Sequence, residues 1–163
     1  MDFQQAFGHK TNIKKYNVYF ILAICLVFVV MLSTAMLIDY RLIVVKQQNL
    51  SKEALKNPHA YFLKIWMIRY LLNVVLVIIF AIYTTLAMNR ITVGYVYIGL
   101  WLIIWFGFAF GELILTKKIT YPSIISIVLF VLVIISFYFI IKDISELKRS
   151  LRYQKMKKRE YRF

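Results

Sequence analysis

The chain has 163 residues, 62% of them hydrophobic and 17% charged, and a formal charge of +14 from 21 Lys+Arg against 7 Asp+Glu. A soluble domain is about half apolar and about a quarter charged, so this balance, with a mean hydropathy of +0.72, excludes an ordinary soluble globule. The charge does not call for nucleic acid: no nucleic-acid motif accompanies it, and basic flanks both orient spanning helices and meet anionic lipid head groups.

Residues Met1 to Asn17 are polar, with Lys10, Lys14 and Lys15 just before the first apolar run. Val18 to Ile38 supplies a first span. Its apolar core exceeds that of a secretory signal and no small-x-small cleavage site follows, so retention as a spanning helix is expected. The lone Cys25 lies inside this run and has no second cysteine with which to form an internal disulfide.

Asp39 to Arg69 forms the one sizeable connection. Ser51, followed by Lys52-Glu53-Ala54-Leu55, predicts a short serine-capped helix. Asn57-Pro58 predicts a cap and a first-turn proline opening a second helix, which then runs without interruption into the membrane. His59, Tyr61, Phe62, Trp66 and Tyr70 are expected at head-group level, where amphipathic aromatics collect.

Tyr70 to Met88 reads as the second span. Asn89-Arg90 links it tightly to Ile91 to Leu115, so these two spans form an antiparallel hairpin. The third stretch exceeds the roughly 20 apolar residues a bilayer crossing needs. It holds four of the five glycines, Gly94, Gly99, Gly107 and Gly111. Thr116-Lys117-Lys118 and Tyr121-Pro122-Ser123 form a turn before the fourth span, Ile124 to Ile141. Its few polar side chains predict that much of it faces lipid. Lys142 to Phe163 lacks glycine and proline and keeps a helical apolar spacing to Leu151, which predicts a helix projecting from the membrane.

The fold expected is therefore an all-α membrane protein: one domain, a bundle of four transmembrane helices with a helical basic C-terminal extension. The spans fall at about 18–38, 70–88, 91–115 and 124–141, with the tail over 142–163. Of the 21 Lys+Arg, 13 fall on the side of the two termini and 8 on the other, a bias that places both termini in the cytoplasm of a cell membrane.

Two motifs stand out. Gly99, Gly107 and Gly111 share one i+4 ridge, and Gly107 to Gly111 is a G-x-x-x-G match. In lipid such small-residue faces allow close backbone approach, so the ridge reads as a helix-packing face, within the chain or between chains. Glu112 is the only carboxylate well inside an apolar segment, on a stripe with Trp101, Trp105 and Phe108. An acid at that depth is costly and turns toward a partner. Arg69 is the partner expected for an interfacial ion pair; a proton- or cation-binding site is the sharper reading.

Enzyme and cofactor signatures are missing. His9 and His59 lie outside the spans and apart from a second ligand, against haem or zinc. There is no C-x-x-C, no G-x-S-x-G turn and no phosphate-binding glycine loop. The basic tail, Lys148, Arg149, Arg152, Lys155, Lys157, Lys158 and Arg159, reads as a contact for anionic lipid or an acidic partner. The function expected is a non-catalytic membrane subunit that anchors or assembles a complex. The alternative is a homo-oligomeric pore, channel or membrane-perturbing effector, for which Asn73, Tyr83, Thr84, Thr85 and Glu112 are the only candidates for a polar lining.

Overall fold

A computed structural model describes residues 12–46, 56–117 and 120–160. Four helices follow one another: α1, Lys15–Tyr40; α2, Pro58–Asn89; α3, Tyr95–Thr116; and α4, Tyr121–Glu160. Arg41–Val45 continues α1 as a π-helical turn. All four are long and apolar enough to cross a membrane. In hydrocarbon every backbone polar group must be satisfied within the chain, which an uninterrupted helix achieves by itself.

The helix ends follow local chemistry. Asn57 caps α2, its side chain accepting from the Ala60 N–H at 3.1 Å, and Pro58 occupies the first turn. The helix thus starts twelve residues before the apolar run that marks its span in the sequence. α3 starts at Tyr95 rather than Ile91, because Gly94 is extended and Ile91 to Gly94 form the turn. α3 ends on Lys117, the one non-glycine residue with positive φ among those described (φ 53°). α4 starts three residues earlier than its apolar run and continues to Glu160. The helix expected from Ser51 lies outside the described residues.

α1 packs on α2 and on α4, and α3 packs on α4. α4 therefore lies between α1 and α3. Ser126 and Ser136 are buried on its inner face with Leu129, Val133 and Ile140, while Ile124, Val128, Val131, Ile135 and Tyr138 are exposed on its outer side. Small side chains on that face let neighbouring backbones come close.

α2 and α3 run antiparallel, since Phe80 meets Trp101 and, one turn on, Thr84 meets Tyr97. Yet this hairpin is not among the closely packed pairs. Large rings separate the two backbones. Phe80, fully buried, is surrounded by Trp101 at 4.5 Å, Trp105 at 5.9 Å, Phe137 at 6.2 Å and Tyr97 at 6.3 Å between centroids. Phe28 of α1 completes the core against Trp105 and Phe108. Such offset and edge-on pairs gain electrostatically beyond simple contact.

A smaller cluster joins α1 and α2 through Ala35, Phe62 and Trp66. Of the aromatics at this end of α2, Phe62 and Trp66 are buried against α1 and Tyr61 is exposed.

Candidate functional site

At the end of the bundle opposite Lys14, α3 points Glu112 inward on the stripe of Trp101, Trp105 and Phe108. The helical period brings these positions to one face. Arg69 of α2 reaches across the gap that the aromatic core creates, and its Nη2 lies 3.0 Å from Glu112 Oε2. The Ser123 hydroxyl donates to the same oxygen at 3.3 Å. Ser123 is itself fixed by Thr120, whose hydroxyl accepts from the Ser123 N–H at the start of α4. The Arg69 guanidinium also sits over the Trp66 ring, 5.6 Å from its centroid. The structure thus brings together the two residues that the sequence singled out as an ion pair, and adds Ser123 and Trp66 to them.

This ion pair lies in the wall of a cavity of about 610 Å³ between the helices. Phe28, Met31, Leu32 and Phe108 give it an apolar interior. Asp39, Arg69 and Glu112 supply charge, and Asn73 and Ser126 are polar without charge. Asp39 interacts with the Trp66 side chain and feels Arg69 and Glu112 at longer range, but forms no ion pair among the described residues.

At the opposite end, α1 and α4 are fastened together. Lys14 Nζ lies 2.6 Å from Asp143 Oδ1, and this contact holds the Lys14 ammonium above the ordinary lysine pKa. One turn inward, the buried Asn17 amide donates to the Ser136 carbonyl at 3.1 Å, while the Ser136 hydroxyl donates back to Asn17 Oδ1. Ile13, also buried, donates its N–H to the Ala87 carbonyl at 3.0 Å, tying the segment before α1 to the end of α2. The start of α1 and the Asp143 turn of α4 therefore share one end of the bundle.

Among the described residues nothing packs on the glycine ridge. A Cβ built on Gly99, Gly107 or Gly111 would meet nothing within 4 Å. Ile103, between them on the ridge, is 74% exposed. The physical reason lies in the rest of α3: Tyr97, Trp101 and Trp105 are its buried face, and the ridge lies beside that face, running from the exposed Gly99 and Gly107 to the half-buried Gly111.

The residues proposed as a polar lining also separate. Asn73 lines the cavity. Thr84 is fully buried and shares a 2.7 Å hydrogen bond with the Tyr97 hydroxyl. Thr85 is exposed and donates back to the Ala81 carbonyl, and Tyr83 stacks on Tyr97. They form no continuous path with Glu112. In the basic tail, Lys148 is half-buried and Arg149 sits over the Tyr153 ring at 5.8 Å. The side chains of Arg152, Lys155, Lys157, Lys158 and Arg159 lie outside those described.

Sequence reasoning missed Asn17, Ser136, Asp143 and Ser123. Asn17 and Ser136 are 119 positions apart, one just before the first span and the other within the fourth. Among the described residues no group of three or more His, Cys, Asp or Glu side chains is placed to hold a metal ion. Comparison with protein families, curated proteins and solved structures gives no match.

Proposed function

We propose that this chain is a non-catalytic subunit of a membrane complex, spanning a cell membrane four times with both termini in the cytoplasm. The glycine face of α3 is its contact with a neighbouring helix, from a second copy or another subunit. The basic end of α4 meets anionic head groups or an acidic partner. The observation that carries this reading is the open space beside Gly99, Gly107 and Gly111, where an added Cβ would meet nothing within 4 Å. Lipid supplies little drive for helices to associate, so a face that admits close backbone approach favours association by dispersion and packing. Among the described residues nothing packs against that face.

A pore draws less support. Thr84 and Thr85 have their hydroxyls engaged, and the centre between α2 and α3 is filled with rings.

The test is Gly107→Leu, read by size-exclusion light scattering and cross-linking in mild detergent. The variant should keep the stability of the single chain and lose assembly. Unchanged assembly in Gly107→Leu and Gly111→Leu would overturn the proposal.

A further inference from the structure

We infer that the cavity beside Arg69 and Glu112 binds an amine-bearing amphiphile, its ammonium at Asp39 and its apolar chain running inward over Leu32 and Phe28.

The size and shape of the cavity are those of a ligand site. Its volume of about 610 Å³ lies within the range of roughly 300–1,000 Å³ that small-molecule sites occupy. Protein interiors are otherwise close-packed, and dispersion contacts are forfeited along the wall of any gap. All four helices contribute to the lining of this opening.

Polarity changes along its length. Asp39 stands at the end of α1, and Leu32 and Phe28 follow 7 and 11 residues deeper on the same helix. At about 1.5 Å per residue that is roughly 10 to 16 Å of depth. Phe108 repeats the pattern one turn inward from Glu112. An occupant therefore needs a charged head and an apolar chain.

The sign of the head follows from the pairing. Arg69 is taken up by Glu112 at 3.0 Å and by the Trp66 ring. Asp39 forms no ion pair among the described residues and faces Trp66. An ammonium would donate to the Asp39 carboxylate and to the Asn73 side-chain carbonyl, using donors it has in threefold supply. An anionic head would instead meet two carboxylates. A long-chain amine and an amine-headed phospholipid share the chemistry required.

The experiment titrates the purified full chain in mild detergent with decylamine, decanol and decyl phosphate, read by native mass spectrometry and by tryptophan fluorescence. Decylamine should bind saturably, and about tenfold tighter than the other two. Asp39→Asn should weaken decylamine by about tenfold and leave decanol unchanged. Competition by phosphatidylethanolamine but not phosphatidylglycerol in nanodiscs assigns the natural source as a lipid amine; no competition assigns a free long-chain amine. Equal binding of decylamine and decanol, or undiminished decylamine binding by folded Asp39→Asn, overturns the inference. If Asp39→Asn does not fold, the comparison of the three head groups on the unaltered chain decides alone.

Discussion

Arg69 and Glu112 lie 3.0 Å apart although they belong to α2 and α3, whose backbones are not closely packed. Their long side chains bridge a gap that rings hold open. The pair closes one end of a hairpin whose other end is a short covalent turn. Glu112 has a side chain 18% exposed and Arg69 one 41% exposed, so solvent screens the attraction. Glu112→Gln should lower stability by roughly 1–2 kcal/mol in reversible detergent unfolding, because the guanidinium loses its charge partner near the membrane interface. A double-mutant cycle with Arg69→Gln should return a favourable coupling. Additive effects of the two changes would mean that the contact contributes nothing.

The opposite end depends on a neutral pair. Ser136→Ala removes the donor to Asn17 Oδ1 in a site where both residues are buried, leaving that oxygen without its partner. The expected loss is about 1–2 kcal/mol, in the range of interhelical hydrogen bonds within membranes. Asn17→Leu should cost at least as much, since it removes both bonds and must fit a larger apolar group against α4. Comparable stability for Ser136→Ala and the unaltered chain would refute this assignment.

Lys14 and Asp143 give a pH signature. Asp143 raises the Lys14 pKa in the folded state, so the charged lysine is favoured by folding. The contribution is fully present below the ordinary lysine value near 10.5 and disappears as pH rises through the raised folded value. The stability difference between the unaltered chain and Asp143→Asn should therefore be flat from about pH 7 to about pH 9.5 and shrink above about pH 10.5. A difference that falls between neutrality and mild alkalinity would contradict it.

A stabilising change is available at the end of α3. Lys117 holds a left-handed conformation, φ 53° and ψ 21°, and its N–H bonds the Leu113 carbonyl at 2.9 Å. Glycine is the usual residue there because it has no Cβ to clash with the backbone. Lys117→Gly should raise stability by roughly 0.5–1 kcal/mol, measured in the same unfolding assay.

Run length and composition sufficed for the four helices, because nothing else buries so many consecutive apolar residues. Arg69 and Glu112 were also legible, since counting spans put opposite charges at one end of the bundle. The direction of the glycine ridge was not. In lipid the inner and outer faces of a helix are both apolar, so periodicity does not tell them apart, and only the packing of Tyr97, Trp101 and Trp105 fixed which side is in. The Asn17 and Ser136 pair was illegible for a different reason: each looks ordinary alone, and their meeting depends on how α4 settles against α1. The cavity, lined by all four helices, leaves no local mark on the chain at all.

Helix α3 keeps two kinds of information on different faces of a single cylinder. Positions 97, 101 and 105 are buried in the bundle, and a Cβ at position 99, 107 or 111 would meet nothing within 4 Å. Random substitutions across α3, scored once for abundance and once for association, should trace two waves of about 3.6-residue period that run roughly a third of a cycle out of step. The surface of this helix can then be re-engineered to accept a different neighbour while the fold beneath it stays as it is.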